Sequence, residues 1–288
     1  MILVLGKAGQ LAEELAALKS DTDLLFAGRN DIDLAEPSRV QGAICDLAPS
    51  GVINAAAYTQ VDLAETEEGS AFAINALSAE QVGRACEKLQ IPLIHVSTDY
   101  VFDGQNLGPY REDSEVSPIN AYGRTKSEGE RRILALKSQA SILRTSWVFS
   151  RFGMNFVKKM LLLAESRDVV SVIDDQFGRP TYARDLAKAC LKLNKLMSNH
   201  GSCRGIFHFA NSGTATWADL ADAVFDDFGL RYGRRPVLRR IATSEYPTPA
   251  KRPERSVLDT SLIERMGVTI EPWQNGLRHC LQCLADED

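Results

Sequence analysis

The chain alternates short apolar runs with segments in which apolar residues recur at helical spacing. The runs at residues 1–5, 51–57, 92–96 and 141–145 consist almost entirely of apolar or small side chains. Such runs are expected of parallel strands that are buried on both faces of a sheet. Because helical patterns separate them, the order of elements predicts a parallel sheet with helices on both sides.

The alternation changes beyond about residue 200, where a proline-rich run at residues 246–253 appears. We therefore predict an α/β protein with two parts. Residues 1–150 are predicted to form a Rossmann-type doubly wound parallel sheet. Residues 151–288 are predicted to be mainly a smaller C-terminal α/β lobe, with parts of residues 165–210 returning to the Rossmann sheet. The predicted strands are residues 1–5, 24–27, 51–57, 92–96, 141–145, 168–173 and 206–210. The longer predicted helices are residues 11–18, 37–47, 69–89, 155–164, 183–194, 216–228 and 273–284.

Composition and charge exclude several classes of protein. The 288 residues are 44% hydrophobic and 25% charged, as in ordinary globular proteins, with a net charge of −5. That charge argues against a nucleic-acid partner, and the short basic segment at residues 231–240 is interpreted as a solvated loop. The apolar N-terminus ends at Gly6, too early for a signal peptide or a membrane span. Six scattered cysteines fit reduced thiols, so we expect a cytoplasmic protein without membrane contact.

A glycine turn follows the first predicted strand and opens the first helix. Gly6 would allow a sharp turn, and Gly9 would let the backbone approach a pyrophosphate at the helix N-terminus, where free N–H groups favour an anion. The spacing is G-x-x-G-x-x-A, with Ala12 in place of a third glycine. The turn predicts a dinucleotide cofactor, although another kind of turn remains an alternative.

The tip of the second strand bears on the choice of cofactor. Arg29 favours NADPH because an arginine at this position accommodates a 2′-phosphate. Asp31 and Asp33 keep NADH possible, since acidic residues there bind ribose hydroxyls. A simple surface arginine is the alternative.

The segment with the clearest chemistry is Tyr122-Gly123-Arg124-Thr125-Lys126. Residues four apart share one helix face, so the phenol and the amine can reach one pocket. A nearby cation would lower the pKa of the phenol, which would then donate a proton near neutral pH. Thr98, at the end of the fourth strand, would supply a second hydrogen bond to a carbonyl oxygen. An amphipathic helix with a solvated lysine is the alternative.

Several motifs in order resemble those of the extended short-chain dehydrogenase/reductase superfamily and, within it, the dTDP-4-dehydrorhamnose reductases. They are Gly6-x-x-Gly9-x-x-Ala12, Asn54-Ala55-Ala56-Ala57, Ser97-Thr98-Asp99-Tyr100-Val101-Phe102, Tyr122-Gly123-x-Thr125-Lys126, Arg144-Thr145-Ser146-Trp147-Val148, Asn155-Phe156, Asp175-Gln176-Phe177-Gly178-Arg179-Pro180-Thr181 and Tyr246-Pro247-Thr248-Pro249-Ala250-x-Arg252-Pro253. The resemblance covers nearly the whole chain.

The resemblance implies a reaction, a set of residues and a role for each part of the chain: residues 1–150 would be the NAD(P)-binding Rossmann domain, and residues 151–288 would mainly be the substrate-binding lobe. It implies hydride transfer from NADPH, or NADH, to the C4 keto group of a dTDP-sugar. Catalysis would fall to Thr98, Tyr122 and Lys126. The cofactor would contact Gly6, Gly9, Gln10, Leu11, Arg29, Asp33, Leu34, Ala57, Tyr58, Thr59, Tyr122 and Lys126. The substrate would contact Thr98, Asp99, Tyr122, Trp147, Asn155 and Arg252.

The sequence departs from the family mildly at Ala12, where a glycine is frequent, and more strongly at a metal-binding position. Some members bind magnesium through glutamates that help a dimer form, and one such position corresponds to Arg184 here, which would repel a cation. Magnesium is therefore doubtful, no other metal is expected, and the chain is expected to be a monomer or a weak homodimer.

Two other functions are compatible with the pattern. One is another nucleotide-sugar enzyme on the same scaffold: an epimerase, a dehydratase or a different 4-ketoreductase. The other is a non-catalytic subunit like the regulatory subunit of methionine adenosyltransferase, which an intact Thr98, Tyr122 and Lys126 disfavours.

Overall fold

A computed structural model of the chain describes residues 1–18, 22–200 and 203–287. The strands are β1 Ile2–Leu5, β2 Leu24–Ala27, β3 Gly51–Asn54, β4 Leu93–Thr98, β5 Ala140–Thr145, β6 Val148–Phe149, β7 Val169–Ile173, β8 Phe177–Gly178, β9 Thr181–Tyr182, β10 Gly205–His208, β11 Ala215–Thr216 and β12 Val237–Ile241. The α-helices are α1 Gln10–Ala17, α2 Pro37–Leu47, α3 Val61–Ala64, α4 Glu68–Phe72, α5 Ala79–Leu89, α6 Ala121–Ala135, α7 Phe156–Ser166, α8 Ala183–His200, α9 Trp217–Tyr232, α10 Ser261–Arg265 and α11 Trp273–Ala285.

Six strands form one parallel sheet in the order β10-β5-β4-β3-β1-β2. Its strands are apolar throughout because helices cover both faces: Ile2 and Val4 belong to the core beneath α1 and α8, whereas Leu3 and Leu5 belong to the core beneath α2, α5 and α6. The predicted doubly wound parallel sheet is confirmed. The carboxyl ends of β1, β3 and β4 meet at one edge, where sheets of this kind bind ligands.

Strands β7 and β12 and helices α7, α9 and α11 build a smaller lobe. Strand β7 pairs with β12 rather than with the large sheet, and helices α7, α9 and α11 share a second apolar core with this pair. Within the stretch 165–210, α8 and β10 belong to the Rossmann half of the molecule. None of the helices among the described residues is both long and apolar enough to cross a bilayer.

Two local predictions were wrong in detail. The single helix expected at residues 69–89 is divided by a π-helical turn, Ala73–Ser78, between α4 and α5. The backbone of α6 packs directly on this turn, since a Cβ on Gly129 would lie 2.1 Å from the carbonyl oxygen of Asn75.

The segment 231–240, expected to be a solvated loop, runs from the end of α9 into β12. All its arginines form ion pairs with carboxylates: Arg231, Arg234, Arg235, Arg239 and Arg240.

Candidate active site

The glycine turn after β1 has the backbone that a dinucleotide site requires. Gly6 has a φ of +96°, and a Cβ there would lie 3.0 Å from the backbone of Ala56, so a side chain does not fit. Helix α1 starts without a side-chain cap at Gly9, which leaves its first N–H groups free for an anion. The buried Oε1 of Gln10 has no hydrogen-bond partner. A polar ligand at this turn would satisfy these groups.

A cavity of about 570 Å³ extends from this turn along the carboxyl ends of β1, β2 and β3. Seven of the predicted cofactor residues line this cavity: Gly6, Gly9, Arg29, Asp33, Leu34, Ala57 and Thr59. Ala55 and Ala56 also line it, so that small side chains expose the backbone to a ligand. The composition and position of this cavity fit a nicotinamide dinucleotide.

Two predicted cofactor residues outside the cavity lining, Leu11 and Tyr58, have other contacts. The side chain of Leu11 is buried in the core beneath α1, which leaves its backbone as the part near the turn. The backbone N–H of Tyr58 donates to Asn75 Oδ1 over 2.9 Å, and the phenol of Tyr58 donates to Glu67. Asn75 also donates to Thr125 on α6 over 3.1 Å, so it connects the cofactor loop to the helix that carries Tyr122 and Lys126.

The N-terminus of α6 is fixed by two side chains. Asn120 is the N-cap and accepts a hydrogen bond from the N–H of Gly123 over 2.8 Å. Its Nδ2 donates to the carbonyl of Lys251, and Glu65 accepts from the N–H of Ala121. The start of the helix is therefore held by the Rossmann half and by the 246–253 loop together.

Thr98, at the end of β4, and Tyr122, in the first turn of α6, lie close enough for the Thr98 hydroxyl to affect the pKa of the phenol. The Thr98 hydroxyl donates to Asp99 Oδ1 over 3.1 Å and accepts from the N–H of Tyr100. The prediction of a more acidic phenol was wrong, because burial raises the pKa of Tyr122 to about 12, an effect that the nearby Thr98 hydroxyl partly offsets. Burial also raises the pKa of Asp99 to about 7.

Lys126 is buried beside these residues rather than solvated. Its Nζ donates to the carbonyl of Val96 over 2.7 Å and lies 3.4 Å from Nε2 of His95. Burial lowers the pKa of Lys126 to about 8, and Glu130 acts against this shift. The structure therefore excludes the alternative of an amphipathic helix with a solvated lysine.

The predicted substrate residues lie on both lobes. Trp147 follows β5 and Arg252 lies in the 246–253 loop, where it forms a bidentate ion pair with Asp62 on α3 (2.8 and 3.0 Å). Both polar groups of the Asn155 side chain are used at the start of α7: Oδ1 accepts from the N–H of Lys158, and Nδ2 donates to the carbonyl of Ser150. The sequence indicates a capping role for this asparagine as clearly as a substrate contact.

Two residues that sequence reasoning missed take part in this region. Trp217 stacks on Trp147 with ring centroids 3.6 Å apart, and Asp62 holds Arg252. Neither belongs to a motif, and a single aromatic or acidic residue gives no sequence signal. Arg184, at which a cation would be repelled, lies 3.6 Å from the buried carboxylate of Glu14.

Comparisons with known proteins agree with this geometry. Residues 1–285 match the protein family described as RmlD substrate binding domain. The chain is 42% identical to the dTDP-4-dehydrorhamnose reductase of Sinorhizobium fredii over 98% of its own length and 97% of the relative's. It is 39% identical to the dTDP-4-keto-6-deoxy-D-glucose reductase of Streptomyces niveus over 99% of its own length and 98% of the relative's.

One solved structure is also similar along its whole length. It is the dTDP-4-dehydrorhamnose reductase of Bacillus anthracis in complex with NADP, with a TM-score of 0.90, 32% identity, and coverage of 97% of this chain and 98% of that one. The sequence motifs, the fold and these comparisons lead to one assignment. The chain belongs to the dTDP-4-dehydrorhamnose reductase family of extended short-chain dehydrogenases/reductases.

Proposed function

We propose that this protein reduces the C4 keto group of dTDP-4-dehydro-β-L-rhamnose to give dTDP-L-rhamnose, with NADPH as the preferred cofactor. The observation that carries the proposal is the proximity of Thr98, at the end of β4, to the phenol of Tyr122 on α6, with the amine of Lys126 buried on the same helix. These side chains converge at the carboxyl edge of a sheet that also carries the dinucleotide cavity.

The cofactor, when bound, supplies a hydride to the C4 carbon. The free N–H groups at the start of α1 would hold its pyrophosphate, Arg29 would hold a 2′-phosphate, and the unpartnered Oε1 of Gln10 would accept from a donor group of the cofactor. The cavity residues Ala55, Ala56 and Ala57 allow it to lie against the backbone. Arg29 is 73% exposed and paired only loosely with Asp33 at 3.5 Å, so its guanidinium is free to turn toward a phosphate.

Tyr122 is the proton donor in this proposal. Because burial raises its pKa to about 12, the phenol is protonated at neutral pH, which is the state required to protonate a developing C4 alkoxide. The N–H of Tyr100 holds the Thr98 oxygen in place, and the Thr98 hydroxyl supports the same C4 oxygen when its proton turns from Asp99 Oδ1 toward the substrate. General acid catalysis of this kind is worth about 10²- to 10⁴-fold in rate.

The substrate would lie between the two lobes. The indoles of Trp147 and Trp217 would contact the sugar, and the loop with Arg252 would cover the nucleotide. Asp62 fixes Arg252 against the Rossmann half, which keeps the loop over the carboxyl edge of the sheet.

A second 4-ketoreductase function is favoured by one observation. The relative from Streptomyces niveus, at 39% identity, is named for a different keto sugar, dTDP-4-keto-6-deoxy-D-glucose. The residues around C4 would serve both substrates, because protonation and hydride transfer are the same in each.

The decisive experiment is a reductase assay with purified protein. Consumption of one NADPH per dTDP-4-dehydrorhamnose, with dTDP-L-rhamnose identified by NMR, would support the proposal. The same assay with NADH measures cofactor preference, and with dTDP-4-keto-6-deoxy-D-glucose alone it separates the two sugars. Interconversion of sugars without net NADPH consumption would indicate an epimerase, and co-purification with an adenosyltransferase without turnover would indicate a regulatory subunit.

A further inference from the structure

Two buried polar residues, Asn54 and His95, lie behind Lys126 and have no part in the reaction described above. Asn54 at the end of β3, His95 in β4 and Lys126 in α6 are each 1% exposed. Asn54 Nδ2 lies 3.0 Å from His95 Nδ1, and His95 Nε2 lies 3.4 Å from Lys126 Nζ. A buried polar group requires a partner, so the direction of each hydrogen bond among these three residues matters.

The backbone determines the direction of the first hydrogen bond. The N–H of Ala56 donates to Asn54 Oδ1 over 3.2 Å, and a backbone N–H is always a donor. The amide of Asn54 therefore presents its oxygen to Ala56 and its NH₂ group to His95. Nδ1 of His95 must accept, and the proton of the neutral imidazole is on Nε2.

This tautomer places an N–H group opposite the amine of Lys126. An ammonium group has three donors and no lone pair, so it cannot accept this hydrogen bond, whereas a neutral amine can. The neutral amine also retains two N–H groups, one of which donates to the carbonyl of Val96.

We propose that His95, held in one tautomer by Asn54, is a positioning residue for Lys126 and favours the neutral form of its amine. The lowered pKa of Lys126, mainly an effect of burial, has the same direction. His95 itself remains neutral, because burial and the neighbouring Lys126 lower its pKa well below the ordinary value. The other charged and titratable groups at this corner are Glu130 on α6, Arg144 on β5, which binds Glu130, and Tyr122 and Asp99 on the substrate side.

The consequence is an amine that exchanges its proton near neutral pH. A lysine of this kind would bind ribose hydroxyls in either protonation state. After taking up a proton from solvent, the resulting ammonium would have a proton to return toward the Tyr122 phenolate after each turnover. This role rests on the proposed function, whereas the tautomer and the titration of Lys126 can be measured without any substrate.

The first test is the tautomer of His95 in the unmodified protein. Two-bond ¹H–¹⁵N NMR spectra distinguish an imidazole protonated on Nε2 from the opposite tautomer and from the imidazolium. The resonances are assigned with variants in which one histidine at a time is replaced. We expect the Nε2–H pattern at pH 7, and either of the other patterns would overturn the proposal.

The second test is the titration of Lys126 in protein labelled with ¹³C at the lysine ε-carbons, assigned with Lys126→Met. His95→Leu removes the donor to the neutral amine, so we expect the midpoint to rise by about one pH unit. Burial alone predicts the opposite sign, because leucine makes the surroundings more apolar and would lower the midpoint.

Ile94→Val, a change on the opposite face of β4, is the control and should leave the midpoint of Lys126 unchanged. An unchanged or lower midpoint in a folded His95→Leu protein would refute the proposal, and the tautomer measurement decides the matter if that variant does not fold.

Discussion

The indole rings of Trp147 and Trp217 stack with centroids 3.6 Å apart and planes 7° from parallel. Trp147 has a φ of +49°, in the left-handed region that bulky residues rarely adopt. Gly178 permits this arrangement, because a Cβ there would lie 2.5 Å from the indole of Trp147. An unfavourable backbone at a bulky residue persists only when its surroundings hold it, and such residues cluster at ligand sites.

We expect Trp217→Ala to weaken substrate binding through Trp147. Loss of an aromatic pair is worth about 0.5–1.5 kcal/mol, so the KM for the dTDP-sugar should rise by up to about 10-fold, with a smaller change in kcat. Trp217→Phe keeps a stacked ring and loses the hydrogen bond to Gln176, and is expected to stay near wild type. Equal KM values for the alanine and wild-type proteins would show that the stack does not position Trp147 for substrate.

Tyr122→Phe should abolish most turnover while leaving the cofactor site intact. The phenol is the proposed proton donor, and its removal should lower kcat by about 10²- to 10⁴-fold. NADPH binding, measured by fluorescence titration, should change little, because phenylalanine keeps the ring of Tyr122 and the cavity that would hold most of the cofactor is lined by other residues. Turnover close to that of the wild type would contradict the assignment of Tyr122.

The large sheet could be predicted from sequence because its signals are local. Each of its first strands is a continuous apolar run, and burial of both faces is what makes such a run necessary. Tyr122 and Lys126 are four residues apart on one helix, so their proximity also followed from local geometry.

The missed features depend on contacts between distant parts of the chain. Asp62 and Arg252 are 190 positions apart, and Asn120 reaches the carbonyl of Lys251 across 131. The pKa of Tyr122 was predicted in the wrong direction for a related reason. The spacing showed a nearby amine, but the degree of burial, which dominates the pKa, depends on the whole fold.

Gly123→Ala should destabilise the protein although alanine favours helices. A Cβ at Gly123 would lie 2.1 Å from the carbonyl oxygen of Tyr100, and backbone cannot move aside cheaply. We expect a loss of about 1–3 kcal/mol in the free energy of unfolding, measured in urea, with reduced turnover because Tyr122 is adjacent. Gly42→Ala is the matched control: nothing lies within 4 Å of its Cβ position in α2, so it should gain up to about 1 kcal/mol. Similar effects at both sites would show that packing on Tyr100 is unimportant.

Arg29→Ala should reduce the preference for NADPH over NADH. A charge-assisted hydrogen bond is worth about 1.5–3 kcal/mol, and exposure of Arg29 reduces this value, so we expect the KM for NADPH to rise about 10-fold. The KM for NADH, which has no 2′-phosphate, should stay the same. Arg111→Ala, at another exposed arginine with an acidic partner, is the control. A parallel rise for both cofactors would place Arg29 outside the phosphate site.

Asp99 should make the protein less stable as the pH rises toward neutrality. Burial raises its pKa from 3.8 to about 7, so the folded protein binds a proton that the unfolded chain releases between these values. The stability from this proton is fully present below about pH 4 and is lost as the pH rises through 7. Asp99→Asn is neutral at every pH, so the variant should gain stability relative to wild type by about 2–4 kcal/mol between pH 4 and pH 7.5. Urea unfolding at both pH values measures this difference. Asp103→Asn is the control: hydrogen bonds from Gln105 and Tyr110 lower the pKa of Asp103 below 3.8, so the stability of this variant relative to wild type changes mainly below pH 4 and should stay nearly constant between pH 4 and pH 7.5. A difference between Asp99→Asn and wild type that does not vary with pH would mean that Asp99 is already ionised in the folded protein.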